Sequence, residues 1–151
     1  MMLAQRRRSR RSAFTLIEVL VVVAILVILA TIAAVAVPKQ LDEAKKSKAV
    51  LGCATIKKAI DSYQISASNP GVSDDEKMPQ DIVQLYQVPW GAASFLPDGA
   101  SSALDPWGKP YAFERRQHGD GTMFIFVKTT APDGTQISQY GVGPNSEPKQ
   151  N

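Results

Sequence analysis

The stretch SAFTLIEVLVVVAILVILATIAAVAVPK, residues 12–39, decides what kind of fold this chain can have. From residue 14 to residue 37 it runs for 24 residues, of which only Thr15, Glu18 and Thr31 are polar. As a helix this run is roughly 36 Å long, enough to cross a hydrocarbon core of about 30 Å. The sequence therefore predicts a membrane-spanning helix close to the amino terminus.

Glu18 is the acid within this apolar run. A carboxylate in the middle of a spanning helix costs about 2.5–3.5 kcal/mol, and less nearer the interface, so it normally faces a partner. A cut between Ala13 and Phe14 would create an α-amine on the same helix face as Glu18. We therefore expect Glu18 to pair with such an amine, in its own chain or in a neighbouring one. The alternative is that Glu18 extends to the lipid headgroups.

Three observations bear on how the apolar run is processed and oriented. Ala34, Val35 and Ala36 fit a small-x-small cleavage site, so one alternative is a secreted soluble binding domain released after Ala36. An ordinary secretory signal has an apolar region of only about 7–15 residues, which favours retention of this longer run. The five arginines before the run outnumber the four nearby lysines after it, which favours a cytoplasmic amino terminus.

Length and charge narrow the remaining possibilities. The chain has 151 residues, which leaves room for one small domain beside the apolar run. Its net charge of +3 comes from the arginines in the first 13 residues, and the rest holds 12 basic and 14 acidic side chains. That near-neutral remainder has no basic stripe for a phosphate backbone, which argues against a nucleic-acid partner.

The basic leader followed by FTLIEVLVVVAILVILA resembles the class III signal of type IV pilins and type II secretion pseudopilins. The resemblance implies cleavage between Ala13 and Phe14 by a prepilin peptidase, N-methylation of Phe14 and a role for Glu18 in setting subunit register. Ala13 stands where the family prefers glycine, and Pro38 comes a few residues later than the usual helix proline. Residues 1–13 are accordingly interpreted as the leader and residues 14–37 as the transmembrane and assembly helix.

The rest of the chain, residues 38–151, is predicted to form a periplasmic domain. Apolar side chains at helical spacing predict an amphipathic helix over residues 39–68, with a buried stripe of Ala49, Cys53, Ile56, Ile60, Tyr63 and Ala67. Pro38 is expected to end or kink the spanning segment. Residues 69–104 are interpreted as a variable loop that contains one short helix in PQDIVQLYQV, with Pro79 in its first turn.

The last third of the sequence changes to a strand pattern. The stretches KPYAFER, TMFIFVKT and QISQYGV, separated by glycine turns, predict a three-stranded antiparallel meander over residues 105–143, followed by a tail at residues 144–151. We therefore predict an α+β fold of the type IV pilin-like class, in which the long helix packs on this small sheet.

The stretch DPWGKPYAF carries a second resemblance. By its own chemistry it predicts a type I turn, since aspartate, proline and glycine suit the first, second and fourth positions. It is similar to the motif of major pseudopilins, through Asp105, Pro106, Trp107, Gly108, Pro110 and Tyr111. The resemblance implies a structural subunit of a periplasmic pseudopilus that drives type II secretion; a type IV pilin or a competence pseudopilin is the alternative. Cys53 stands alone and cannot form the disulfide loop of many pilins, which favours the pseudopilin.

The same resemblance implies partners and a location. The partners are further copies of the chain, minor pseudopilins, the prepilin peptidase, and the inner-membrane assembly platform with its ATPase. The location is the inner membrane as a single-pass protein, with the amino terminus cytoplasmic and the domain periplasmic before assembly.

Little in the sequence points to an enzyme or a cofactor. His118, the single histidine, is predicted to be exposed in a turn, Cys53 to be a buried inert thiol, and Trp90 and Trp107 to anchor the core. In the resembled family a carboxyl-terminal loop commonly binds calcium through clustered acids. Here the tail offers only Glu147 with Asn145 and Ser146, so no cofactor is predicted and no metal ligand is assigned.

Overall fold

One long helix is followed by a small antiparallel sheet. The computed structural model describes residues 14–148, so the predicted leader and the last tail residues lie outside it. The elements are α1 (Leu16–Ile65), β1 (Ala112–Gln117), β2 (Met123–Thr130), β3 (Gln136–Ser138), β4 (Gly141–Val142) and 3₁₀ helices at Ile82–Leu85, Gly99–Ala103 and Gly143–Ser146. The predicted α+β class is confirmed.

The chain divides into two compact units between Gln40 and Leu41. The first unit contains the apolar part of α1, and its large hydrophobic side chains are exposed. The second contains residues 41–65 of α1 and the whole sheet. Pro38 lies inside α1, so the helix does not end there.

The second unit has its core between α1 and the sheet. The predicted stripe residues Ala49, Cys53, Ile56, Ile60 and Tyr63 are all at most 4 % exposed. From the sheet, Ile125 and Val127 are buried in one cluster with all of these residues except Ala49, and Phe113 packs against that cluster. These contacts bury the apolar stripe of the helix. The removal of this apolar surface from water stabilises the domain.

Ala67 does not belong to the stripe, contrary to the prediction, because α1 ends at Ile65 and Ala67 is exposed. Asn69 explains the early end. Its amide Nδ2 donates to the Tyr63 carbonyl at 2.9 Å and to the Lys77 carbonyl at 3.0 Å. Since a helix end leaves carbonyls without intrahelical partners, this amide satisfies one of them and turns the chain away.

In the loop over residues 69–104 the predicted helix is shorter than expected, and a second 3₁₀ helix, Gly99–Ala103, is one that the sequence does not predict. Only Ile82–Leu85 is helical in PQDIVQLYQV, and it is a 3₁₀ helix. Asp81 caps it by accepting a hydrogen bond from the Val83 N–H at 2.6 Å, so Pro79 precedes the helix and does not form its first turn. The loop is nevertheless packed, since Leu85 and Leu96 are at most 2 % exposed.

The sheet has four strands in the order β1-β2-β3-β4, all antiparallel, where the sequence predicts three. The stretch QISQYGV forms β3 and β4 with a turn at Gln139 and Tyr140. Gln139 is the physical reason: its side-chain Oε1 accepts from the Val127 N–H at 2.8 Å, and its Nε2 donates to the Ile125 carbonyl at 3.2 Å. The side-chain amide of Gln139 thus makes the hydrogen bonds to β2 that a strand backbone would make. The backbone of Gln139 is therefore free to turn.

Gly52 on α1 leaves room for the side chain of Tyr111, the residue before β1. A Cβ at this position would overlap the Tyr111 hydroxyl oxygen and lie 2.8 Å from Tyr111 Cζ. Tyr111 is buried and donates to the Ala49 carbonyl at 3.4 Å, so it has little freedom to move. We expect Gly52→Ala to lower the free energy of unfolding by about 1–3 kcal/mol, although alanine gains about 1 kcal/mol of helix propensity.

Urea unfolding of the full-length protein in detergent, followed by fluorescence, measures this effect. Gly119→Ala is the matched control, because a Cβ there meets nothing within 4 Å. Tyr111→Phe removes the overlapping oxygen and is expected to recover part of the loss in the double variant. A Gly52→Ala protein as stable as the wild type would contradict the close approach.

Candidate assembly site

The apolar part of α1 presents its side chains outward. The large hydrophobic residues between positions 16 and 37 are each 48–86 % exposed. Among residues 14–148, α1 is the one helix long and apolar enough by length and composition to cross a membrane. A continuous apolar surface of this size needs lipid or other apolar helices around it.

Glu18 has a partner within its own chain, Thr15. The Thr15 backbone N–H and hydroxyl both donate to Glu18 Oε2, at 2.8 and 2.9 Å. In return the Glu18 N–H donates to Thr15 Oγ1 at 3.4 Å. This is a capping box, in which Thr15 precedes the first turn of α1 and Glu18 closes it.

This cap was not predicted from the sequence, although the signal for it is local. A threonine followed three residues later by a glutamate, ahead of an apolar run, is the pattern of a capping box. The cap binds one carboxylate oxygen only: among residues 14–148, Glu18 Oε1 accepts no hydrogen bond. A second donor can therefore reach this carboxylate without breaking the cap.

The predicted cleavage site flanks this cap. Ala13 lies outside the described residues. Phe14 is 82 % exposed and precedes α1, whose first residue is Leu16. The predicted cut and the carboxylate of Glu18 therefore lie within one helical turn of the start of α1.

Asp105 organises the turn that leads into the sheet. Its Oδ1 accepts hydrogen bonds from the Trp107 and Lys109 N–H groups, both at 2.9 Å. Its Oδ2 accepts from the Thr129 hydroxyl on β2 at 2.5 Å. Asp105 is 5 % exposed, so a buried carboxylate ties the turn to a strand.

The other motif residues lie in the same turn or directly after it. The Gly108 N–H donates to the Asp105 carbonyl at 3.0 Å and Gly108 has φ +81°, which glycine adopts without strain. Trp107 packs on a small cluster of Ala49, Ala131 and Ile137, as a core anchor. Pro110 forms a single bridge with Leu104 before β1 starts at Ala112. The motif therefore forms the turn that sets the entry of β1.

The remaining reactive side chains occupy structural positions. Burial raises the pKa of the Cys53 thiol to about 12, so it stays protonated and unreactive. His118 is exposed and stacks on Phe124 with ring centroids 4.1 Å apart. Trp90 contacts Tyr63 with ring centroids 4.6 Å apart. Within residues 14–148 no group of three or more histidine, cysteine, aspartate or glutamate side chains could hold a metal ion.

Comparison with known proteins gives two matching family models. The prokaryotic N-terminal methylation motif matches residues 8–34, and the model of type II secretion system protein G matches residues 36–139. Neither the curated proteins nor the solved structures contain a match. The second family model covers more than half of the chain, including the Asp105 turn, β1, β2 and β3.

These matches confirm the resemblance that the leader and the DPWG stretch carry. The protein G model favours a pseudopilin over a type IV pilin. The methylation motif and the apolar helix together indicate anchoring in a membrane. Protein G pseudopilins are structural proteins that assemble with other components of the secretion system. The chain therefore belongs to the type II secretion system protein G family and is a major pseudopilin, a structural subunit of the pseudopilus that drives protein export.

Proposed function

We propose that the chain is cut between Ala13 and Phe14, methylated at Phe14, held in the inner membrane by residues 14–37 and then drawn into a periplasmic fibre. The observation that carries this proposal is the exposed apolar surface of α1. Lipid covers this surface before assembly, and the same segment of neighbouring subunits covers it in the fibre. The exchange keeps the apolar side chains out of water throughout.

The proposed orientation places the amino terminus in the cytoplasm and the domain in the periplasm. The excess of arginines before the run supports it. The proposed partners are the prepilin peptidase, the minor pseudopilins and the inner-membrane platform with its ATPase. Further copies of the chain form the body of the fibre.

In the fibre, the methylated amine of Phe14 in one subunit is the proposed partner of Glu18 in the next. Thr15 occupies Glu18 Oε2, which leaves Oε1 for the amine. A charge-assisted hydrogen bond of this kind is stronger in hydrocarbon than in water. A subunit one register out of place would leave both charges unpaired in an apolar core, so the pair selects a single register.

The mass and amino-terminal sequence of the mature protein, taken from its native membrane, test the processing step. We expect a methylated Phe14 at the start. A mature protein that starts at Val37 would contradict the proposal, because the apolar run would then be a discarded signal.

Ala36→Leu provides the matched control for this measurement. The substitution removes the small side chain that signal peptidase requires and leaves residues 13 and 14 unchanged. We expect the mature start to stay at Phe14 in this variant. Accumulation of uncut precursor in Ala36→Leu would identify the site after Ala36 as the one in use.

A further inference from the structure

The carboxyl-terminal segment of this pseudopilin does not fit a calcium ion. Calcium takes about six to eight oxygen ligands, with carboxylates prominent among them. The two acids on or after the turn between β2 and β3 are Asp133 and Glu147. Asp133 Oδ2 accepts from Lys46 Nζ at 2.6 Å and Oδ1 from the Thr135 N–H at 3.0 Å. Both oxygens of Asp133 are therefore occupied by donors of the protein.

Glu147 is occupied in the same way. Its Oε2 accepts from Arg116 Nη1 at 2.8 Å, and its Oε1 accepts from Gln136 Nε2 at 2.9 Å. Gln136, and then Arg116, hold the pKa of Glu147 below its usual range, so the carboxylate is ionised at neutral pH. A cation at this position would have to displace both donors.

The arginine is held from its other side as well. Arg116 Nη2 donates to Glu114 Oε2 at 3.0 Å, and Lys128 Nζ lies 2.6 Å from Glu114 Oε1. The guanidinium carbon of Arg116 also lies 3.9 Å from the ring centroid of Phe126, a residue with no exposed surface. Charge and packing therefore fix the arginine that binds Glu147.

Two buried serines attach the backbone of the same segment. The Ser138 hydroxyl on β3 donates to the Ser146 carbonyl in a short hydrogen bond. The Ser146 hydroxyl donates to the Gly143 carbonyl at 2.6 Å. Both serines are at most 1 % exposed. Arg116, Gln136, Ser138, Ser146 and Glu147 together form what we call the tail latch.

We propose that the tail latch fixes residues 143–148 on the sheet by the protein's own side chains, so that this pseudopilin keeps its carboxyl-terminal segment folded without calcium. The proposal concerns the second unit alone and does not depend on the cleavage or register proposals. It assigns to Arg116 and Gln136, as hydrogen-bond donors to Glu147, the role of holding this segment in place.

Thermal unfolding of the full-length protein in detergent tests the metal independence. The melting temperature is measured in excess EGTA, in millimolar calcium and, as the matched control, in millimolar magnesium. We expect all three values to agree within about 1 °C, whereas calcium at a hundred times its Kd would raise the melting temperature by roughly 10 °C. A calcium-specific rise of more than about 3 °C overturns the proposal.

Hydrogen exchange of residues 136–148 tests the latch itself. Glu147→Gln removes the ion pair with Arg116 and leaves one acceptor oxygen where the carboxylate has two. We therefore expect hydrogen exchange in this segment to be about two- to fivefold faster. Glu43→Gln is the matched control, since it also removes a carboxylate that faces a cation but lies outside the tail latch. Glu43 is exposed on α1, with its Oε1 3.9 Å from Lys46 Nζ. Unchanged exchange in Glu147→Gln, or equal acceleration in Glu43→Gln, overturns the role of Glu147.

Discussion

Replacing Glu18 with alanine is expected to abolish fibre assembly while membrane insertion and cleavage remain normal. Insertion does not need the carboxylate, because its removal makes the run more apolar. In the proposed fibre the carboxylate meets the amine of Phe14 in the neighbouring subunit, where an unpaired charge is costly. The measurement compares the amount of sheared or cross-linked fibre with the amount of processed protein in the membrane.

Two further variants separate the proposed register role from the cap. Thr15→Val removes the hydroxyl of the capping box and leaves the Glu18 charge, at a cost of about 0.5–2 kcal/mol in helix stability. Glu18→Gln keeps the shape and loses the charge. We expect Thr15→Val to assemble and Glu18→Gln to assemble poorly. Normal fibres from Glu18→Ala, or equal loss in Thr15→Val, would leave Glu18 as a helix cap with no role in register.

Asp105→Ala is expected to lower the free energy of unfolding by about 3–5 kcal/mol, because each buried donor left without an acceptor costs about 1–3 kcal/mol. The alanine leaves three donors without an acceptor: the N–H groups of Trp107 and Lys109 and the hydroxyl of Thr129. Because Asp105 is 5 % exposed, water replaces these bonds poorly. Urea unfolding of the full-length protein in detergent measures the change.

Asp98→Ala is the matched control for this substitution. Asp98 also lies in the region before the sheet, but it is exposed and its side chain makes no capping hydrogen bond. We expect the control to change stability by no more than about 0.5 kcal/mol. Asp105→Asn keeps one oxygen that can accept from the Trp107 and Lys109 N–H groups. Its loss of stability should therefore fall between those of Asp105→Ala and Asp98→Ala. An Asp105→Ala protein as stable as Asp98→Ala would show that the turn forms without its carboxylate.

The features predictable from the sequence are those that depend on near neighbours along the chain. The spanning run follows from composition alone, and the stripe from Ala49 to Tyr63 follows from helical spacing. The turn at Asp105 also follows, since its carboxylate bonds the N–H groups two and four residues later. The cap between Thr15 and Glu18 is equally local and was open to prediction.

Other features depend on which distant segment returns to a given place. The division of QISQYGV into β3 and β4 follows from the contact of Gln139 with β2, and a strand pattern with period two contains no sign of it. The early end of α1 is a nearer effect, since the Asn69 amide donates to the Tyr63 carbonyl only six residues before it.

By itself the sequence determined the membrane helix, the α+β class, the turn at Asp105 and the family, because each is carried by composition, period or a short motif. Only the tertiary structure decided the close approach of Gly52 to Tyr111, the fourth strand and the tail latch. Arg116 and Glu147 are 31 residues apart, and no local pattern pairs them. The pair forms because the 3₁₀ helix after β4 returns the chain to β1, where the guanidinium carbon of Arg116 lies 3.9 Å from the ring centroid of buried Phe126.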